Sequence, residues 1–348
     1  MGGVAGPALV AAVSNAGGLG MLPGVGVPPD ELRQQIRAVR GLTTRPFAVN
    51  LLLHPALQPP ADPATVPDDV VLRVQGTLNR FRDQLGLPQV TVRPPRPPDF
   101  MKAAFDVILE ERVPVFSIGL GRPTREQVER CQRQHTRIVA MAATVEDARE
   151  LADAGVDAII AQGSEAGGHR STWTKRASVQ HAAVGTLALI PQVVAAVKVP
   201  VVAAGGIVDG RGLVAAIALG AAGVSIGTRF IASAESIAPP FYKSALLTAS
   251  GDDTVITDAF SGLYARALRN EFIEAFSVPG ATVFPPVLQQ AAARDVTAAA
   301  ASRGSSAFYP MYAGQGCGAL EDVPAAGELV QRTITEARRT LAELARLT

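Results

Sequence analysis

Hydrophobic residues along the chain form short, continuous apolar runs, and segments with helical spacing separate them. Five such runs lie at residues 113–118, 137–141, 156–161, 199–204 and 223–226. Thr124 and Gln127 open the helix after the first run with the spacing of a capping box. Strands that are apolar on both faces and alternate with helices are typical of parallel sheets with right-handed crossovers. The pattern therefore predicts an α/β fold.

Two further apolar runs lie upstream, at residues 47–52 and at the shorter segment 18–22. The sum is seven strands, one fewer than a closed eightfold barrel requires. The shortfall falls at the start, because Met1 and Gly2 lead almost at once into a helix. We therefore expect a TIM (β/α)8-type barrel that lacks its first strand. Either the seam is closed in another way, or the given start lies inside a longer natural chain.

The alternation of strand and helix stops after Ser233. The pattern then predicts helices with little strand, at residues 241–249, 266–276 and 287–303, followed by an amphipathic helix at residues 328–347. We therefore divide the chain into a barrel at 1–235, a small helical cap and substrate domain at 236–310, and a return to the barrel at 311–348. Two proline-rich stretches, residues 55–67 and 93–98, are expected on the barrel rim.

Composition and charge narrow the possible partners. Charged residues make up 18% of the chain and the net charge is +1, so neither nucleic acid nor an anionic membrane surface is indicated. Cys131 and Cys317 form neither a disulfide framework nor a Cys/His metal cluster. No signal peptide pattern is visible at the N-terminus. We expect a cytoplasmic protein without a metal site that acts on a small molecule.

Three glycine-bearing loops follow neighbouring predicted strands. The segment 162–169 holds three glycines, a carboxylate and His169, one of four histidines. Gly205-Gly206 and Gly227-Thr228 follow the next two strands and present bare backbone N–H groups. A barrel binds phosphate in this way after its last two strands. A single glycine pair could merely turn the chain, but two loops in register favour a phosphate site.

Several motifs together resemble the nitronate monooxygenase family, formerly called 2-nitropropane dioxygenases. They are AQGSEAGGH, PVVAAGGIVDGRG, GVSIGTRF and YAGQG, with VAAVSNAGGLG and RPFAVNL nearer the start. The resemblance covers nearly the whole chain, although flavin-dependent enoyl-acyl-carrier-protein reductases share EAGGH and AAGGI. It implies an FMN-dependent barrel with a helical cap that oxidises alkyl nitronates with molecular oxygen.

The resemblance also implies a set of cofactor-binding residues. The FMN phosphate is expected in the two glycine loops, against Gly205, Gly206, Ser225, Ile226, Gly227 and Thr228. Positions expected to contact the rest of the flavin or to line its site are Asn50, Gln162, Gly167 and Gln315. For the amides of Asn50 and Gln162, a hydrogen bond to the protein's own loops is the alternative, because a buried amide needs a partner of some kind.

His169 matches the family's active-site histidine. An imidazole there would position a nitronate by hydrogen bonding, or remove the α-proton of a neutral nitroalkane. Glu165 is expected to orient a loop amide or the histidine, and Tyr312 to form part of the site wall. The remaining histidines are expected to be satisfied by backbone without a catalytic role; they are His54, His135 and His181.

Two other functions compete with nitronate oxidation. The first is an NAD(P)H-dependent flavin enoyl-thioester reductase, and the second is a flavin- or phosphate-binding barrel without turnover. The segments YAGQG and VGTLALIPQVVAAV favour the monooxygenase, and His169 in the glycine loop argues against a barrel without turnover. The expected partners are a small-molecule substrate and molecular oxygen, with a homodimer as the candidate assembly.

Overall fold

The computed structural model describes residues 2–173 and 183–346. Its strands form two sheets. The strands are β1 Gly20–Pro23, β2 Phe47–Leu53, β3 Val115–Gly121, β4 Arg137–Ala142, β5 Ala158–Gln162, β6 Gly168–His169, β7 Val201–Ala204, β8 Gly223–Ser225, β9 Thr254–Thr257 and β10 Ala265–Leu268. Seven of them make one curled parallel sheet, in the order β1-β2-β3-β4-β5-β7-β8.

The parallel sheet is a barrel with one strand missing, as predicted. Every neighbouring pair in it is parallel, and the strand order follows the chain apart from β6. In the described residues β1 and β8 are the two edges and do not pair with each other. The N-terminal helix leads into β1, so no strand precedes that edge within these residues.

The helices of the described residues include the layer that shields the outer face of the parallel sheet. They are α1 Pro7–Asn15, α2 Pro29–Leu42, α3 Asp68–Gln84, α4 Met101–Glu110, α5 Arg125–Arg133, α6 Val145–Asp153, α7 Thr186–Ala196, α8 Gly210–Ala218, α9 Thr228–Ile231, α10 Pro240–Thr248, α11 Glu271–Ala275, α12 Leu288–Ala292, α13 Arg294–Ser302 and α14 Ala326–Leu344. The predicted capping box at Thr124 is present at the start of α5. Among the described helices, none is long and apolar enough to cross a membrane.

The main core lies between the sheet and this helical layer. Leu22, Ile36 and Phe116 are fully buried within it, which accounts for strands that are apolar on the face away from the barrel interior. The terminal helix α14 packs against α8 and α1 and so closes back onto the barrel.

A second apolar cluster, which we call the cap, consists of buried residues from 66–85, including α3, and from 259–308. The rings of Phe81 in α3 and Phe272 in α11 stack with centroids 5.1 Å apart. Arg82 is also buried there, and its Nε donates to the Asp295 carboxylate at 2.7 Å. No helix was predicted at α3. Residues from before β3 thus pack with residues from after β8, a contact that no local sequence pattern predicted.

The helix predicted at residues 266–276 is wrong in its first part. Residues 265–268 form β10, which pairs antiparallel with β9 on one side and β6 on the other, and helix α11 begins only at Glu271. Alanine, arginine and leucine favour helix in isolation, but tertiary contacts override such propensities. All four residues of β10 are buried.

Candidate active site

The three glycine-bearing loops leave the parallel sheet side by side. Gln162 of β5 pairs with Ala204 of β7, and Ala204 pairs with Ser225 of β8. Because the strands are parallel, the loops that follow them emerge at the same edge of the sheet. The fold thus brings together the loop of His169 and the two loops predicted to bind phosphate.

Glu165 and Thr186 link the first two loops. The Thr186 hydroxyl donates to the Glu165 carboxylate at 2.8 Å, and its oxygen lies 3.0 Å from the carbonyl oxygen of Gly205. A Cβ at Gly163 would lie 2.0 Å from this hydroxyl oxygen, and one at Gly205 would lie 2.6 Å from it. Both glycines are therefore required by the close approach of Thr186, and Glu165 has the structural role that was predicted.

Residues 313–316 lie across these loops. The N–H of Gly314 donates to the Thr228 hydroxyl oxygen at 2.9 Å, and the N–H of Gln315 donates to the carbonyl of Glu165 at 2.9 Å. A Cβ at Gly167 would lie 2.5 Å from the nitrogen of Gly314, so only glycine fits there. The late YAGQG motif is thus joined to both the histidine loop and the loop after β8.

The phosphate-binding prediction requires free backbone donors in the last two loops. In residues 2–173 and 183–346, the N–H groups of Gly206, Gly227 and Thr228 make no hydrogen bond within the protein. Gly206 has a φ of 68°, in the left-handed region that favours glycine. Free donors at neighbouring strand ends suit an anionic group, since each would otherwise be left to solvent. The residues present therefore fit a phosphate.

The two predicted flavin-binding amides already have partners in the protein. Asn50 donates from Nδ2 to the Ser117 hydroxyl at 2.9 Å inside the barrel. Gln162 donates from Nε2 to the carbonyl of His169 and accepts the N–H of Ser171 at Oε1, both at 2.9 Å. The Gln162 amide therefore holds the histidine loop in place. The Oδ1 of Asn50 and one N–H of Gln162 make no such bond within the described residues, and contact with a flavin stays a prediction.

His169 lies on β6 and is held by the cap. It pairs with Ala265 of β10, and the next residue, Arg170, donates its N–H to the carbonyl of Tyr264 at 2.8 Å. The imidazole Nε2 lies 2.9 Å from the Ser261 hydroxyl oxygen, and the imidazole centroid lies 5.4 Å from that of the Tyr312 ring. Burial lowers the pKa of His169 to about 4, so the imidazole is neutral at pH 7.

Tyr312 forms the wall beside the imidazole. Burial raises the pKa of its hydroxyl to about 12, with a smaller opposing effect from Ser261, so this hydroxyl is neutral at pH 7. The Tyr242 hydroxyl donates to the Tyr312 carbonyl at 2.6 Å and fixes the backbone behind the ring. The predicted wall residue therefore lies next to His169.

Of the other histidines, neither His54 nor His135 hydrogen-bonds a residue of this cluster in the described part of the chain. The Nδ1 of His54 accepts the N–H of Ala56 at 3.0 Å, which is the local backbone contact that was expected. His135 is exposed in the turn after α5. His181 lies outside the described residues.

Two buried arginines, for which no role was predicted, hold the backbone of the histidine loop. Arg170 donates to the carbonyls of Gly163 and Gln162, at 3.0 and 3.1 Å, and Arg266 of β10 donates to the carbonyl of Ser164 at 2.8 Å. Burial lowers the pKa of Arg170 to about 10. Three consecutive carbonyls thus point toward guanidinium groups.

Ser261 was also missed, although the sequence held a signal for its position. The β-branched run TVIT at 254–257 is typical of a strand, and the Ser261-Gly262 pair is typical of a turn. Together they indicate a hairpin. No local pattern could place this hydroxyl against His169, which is 92 positions away.

Comparison with known proteins identifies relatives over almost the whole chain. A family model described as nitronate monooxygenase matches residues 1–336. A probable nitronate monooxygenase from Staphylococcus saprophyticus subsp. saprophyticus is 37% identical over 315 residues, which cover 90% of this chain and 86% of that protein. A protein of the same description from Staphylococcus aureus strain Newman matches with the same identity and coverage.

Solved structures give a consistent result. The nitroalkane oxidase from Streptomyces ansochromogenes matches with a TM-score of 0.88 and 36% identity, over 99% of this chain and 95% of that one. FabK from Thermotoga maritima matches with a TM-score of 0.73 and 30% identity, over 100% of this chain and 94% of that one.

Proposed function

The chain belongs to the nitronate monooxygenase family and is an oxidoreductase, and we propose that it uses FMN and molecular oxygen to oxidise alkyl nitronates. One observation carries the proposal. The free N–H groups of Gly206, Gly227 and Thr228 lie in two neighbouring loops, and residues 313–316 connect these loops to the segment that carries His169.

The phosphate of FMN would be held by the loops after β7 and β8. The N–H groups of Gly206, Gly227 and Thr228 supply the donors, with Ser225 and Ile226 leading into the second loop. The Thr228 hydroxyl accepts the N–H of Gly314, so its own hydrogen is free to donate to a phosphate oxygen. The absence of a side chain at Gly206 leaves the approach to these donors open.

The flavin ring would lie toward the barrel interior and the histidine loop. Asn50 has a free acceptor at Oδ1, and Gln162 has one remaining N–H, so each amide can bond the ring without giving up its present partner. Gln315 would border the site from the segment that crosses the loops, and Gly167 allows that segment to come close.

The protein's own residues bind and orient the substrate. FMN, when bound, supplies the redox chemistry by taking electrons from the nitronate and passing them to oxygen. His169, neutral at pH 7, can accept a proton from the α-carbon of a nitroalkane. Tyr312 and the cap residues behind it exclude bulk water from the imidazole.

A flavin-dependent enoyl-thioester reductase driven by NAD(P)H is the second candidate. The match to FabK over the whole chain favours it, since the same loops and histidine would serve either reaction. The higher TM-score and identity of the nitroalkane oxidase favour nitronate oxidation.

One experiment separates the candidates. The purified protein is titrated with FMN while its visible spectrum is recorded, and oxygen consumption is then followed with propionate 3-nitronate. NADPH oxidation is measured separately without a nitronate. We expect a bound-flavin spectrum, oxygen consumption with the nitronate and slow NADPH oxidation. Rapid NADPH oxidation with no response to the nitronate would select the reductase, and a protein that binds no FMN would overturn both.

A further inference from the structure

The Ser261 hydroxyl reaches the imidazole of His169 from the cap. It lies in the loop between β9 and β10, and the serine is 8% exposed. The turn packs closely against the next segment, because Gly262 has a φ of 75° and a Cβ there would lie 2.7 Å from the carbonyl oxygen of Phe284. The N–H of Val287 also donates to the carbonyl of Ser261. The turn that carries the hydroxyl is therefore packed against, and hydrogen-bonded to, residues 284–287.

Three polar groups lie at hydrogen-bond distance from the Ser261 oxygen, and the Tyr312 hydroxyl is a further polar neighbour of the Ser261 side chain. The His169 Nε2 lies at 2.9 Å, the Leu263 carbonyl oxygen at 3.1 Å and the Leu263 nitrogen at 3.3 Å. A hydroxyl has one hydrogen to donate and two lone pairs that accept. The carbonyl can only accept and the backbone N–H can only donate. These limits decide how the three contacts can be made together.

Only one arrangement satisfies all three contacts. The hydroxyl hydrogen points to the Leu263 carbonyl, while the Leu263 N–H and a hydrogen on His169 Nε2 both donate to the hydroxyl oxygen. In the opposite arrangement, the hydroxyl donates to Nε2 and two oxygen atoms face each other at 3.1 Å without a hydrogen between them. The first arrangement therefore has the lower free energy.

We propose that Ser261 is a positioning residue that holds His169 in the Nε2–H tautomer and so makes Nδ1 the atom that accepts a proton. A neutral imidazole carries one ring hydrogen, so Nδ1 keeps its lone pair when Nε2 is protonated. In the described part of the chain, no residue hydrogen-bonds Nδ1. The role in the reaction rests on the proposed function, whereas the tautomer does not.

With a hydrogen on Nε2 and none on Nδ1, His169 is suited to a substrate that must lose a proton, which is a neutral nitroalkane. The α C–H bond breaks, its electron pair is delocalised into the nitro group to give a nitronate, and the proton forms a new bond to Nδ1. The resulting imidazolium later releases this proton to water. An unprotonated Nδ1 has no hydrogen to donate to a nitronate that is already formed. Ser261 therefore matters for proton removal and not for the binding of a preformed nitronate.

The tautomer can be read directly from ring ¹⁵N chemical shifts in histidine-labelled protein without flavin. The His169 signals are assigned by their loss in His169→Asn. We expect protonated Nε2 and unprotonated Nδ1 in the wild type, a mixture of tautomers in Ser261→Ala, and the wild-type pattern in Ser261→Thr. A protonated Nδ1 in the wild type, or an unchanged tautomer in Ser261→Ala, would overturn the proposal whether or not the protein oxidises nitronates.

Kinetics on the FMN-loaded enzyme test the role in proton removal. Ser261→Ala should lower kcat for nitroethane about tenfold, the equivalent of one hydrogen bond, while KM and turnover of preformed ethyl nitronate stay near wild type. Ser261→Thr should restore kcat. Ser236→Ala is the matched control, because Ser236 is also buried and its hydroxyl bonds the backbone of Val4 and Ala238 instead of His169.

Thermal unfolding of each variant checks that the fold is retained. Equal nitroethane turnover in Ser261→Ala and wild type would overturn the role in proton removal. Absence of turnover in every variant, with the expected tautomer in the spectra, would contradict the proposed function and leave the Ser261 assignment standing.

Discussion

The carboxylate of Glu165 accepts both the backbone N–H and the hydroxyl of Thr186. The N–H contacts are 2.9 and 2.8 Å from the two carboxylate oxygens, and the hydroxyl contact is 2.8 Å. Since Thr186 is the first residue of α7 and also contacts Gly205, this single carboxylate fixes the histidine loop relative to the loop after β7. A negative charge at a helix N-terminus is also favourable.

Replacing Glu165 with glutamine should loosen both loops. The amide has only one accepting oxygen, and its NH₂ group would face the Thr186 N–H. We expect the free energy of unfolding to fall by about 1–3 kcal/mol and the Kd for FMN to rise. Urea unfolding and a flavin titration measure the two effects. Glu126→Gln is the control, because Glu126 is an exposed residue of α5. Identical unfolding of both variants would contradict the assigned role.

Gly206→Ala should weaken FMN binding beyond its effect on stability. The added Cβ would lie 3.4 Å from Glu165 Cβ in a left-handed conformation, so the loop must shift to relieve strain. Loss of aligned N–H donors should raise the Kd for FMN about tenfold or more, measured by quenching of flavin fluorescence.

Gly155→Ala is the matched control for this substitution. Gly155 has a φ of 89°, and its Cβ would have a similar clearance of 3.5 Å from Val128, but it lies after α6 and away from the loops. Both alanine variants should lose a similar amount of stability. If both raise the Kd equally, the glycine loop is not the phosphate site.

His169→Asn should retain bound FMN and lose turnover. Asparagine cannot serve as a base near neutral pH, and general base catalysis contributes about 10²- to 10⁴-fold to rate. We expect a loss of that size with nitroethane in steady-state assays of oxygen consumption, alongside an unchanged flavin spectrum. Unchanged turnover would remove His169 from the catalytic role.

The acid side of the pH profile should report on His169. Its folded pKa of about 4 lies below the ordinary value of 6.5, so the imidazole stays neutral as pH falls from 7 to about 5. The value of kcat/KM for nitroethane should therefore stay level over that range and fall as pH approaches 4. A fall centred at pH 6.5 would show that the imidazole is not desolvated.

The same pKa shift links stability to pH. Between pH 6.5 and about 4 the unfolded chain protonates this histidine while the folded protein does not, so stability is lost as pH falls through that window. The free energy of unfolding should therefore decrease less between pH 7 and pH 5 in His169→Asn than in the wild type. Urea unfolding at the two pH values measures this difference.

Much of the barrel could be predicted because its signals are local. Apolar runs of strand length, the Thr124 capping box and the glycines after β7 all depend on residues within a few positions of each other. By contrast, β10 was predicted as helix. Its strand conformation depends on pairing with Thr254–Thr257 and with His169, and the latter lies almost a hundred positions earlier in the chain.

The candidate site likewise has features that the sequence predicts and features that only the folded structure shows. The sequence by itself determined the parallel order of the strands, and hence that the loops of His169, Gly206 and Thr228 emerge together, because continuous apolar runs leave no other stable pairing. Only the tertiary structure decided that Ser261 bonds the imidazole and that Thr186 fills the space at Gly205. Those contacts join segments that have no shared local pattern, so they exist only once the chain has folded and these distant segments have packed together.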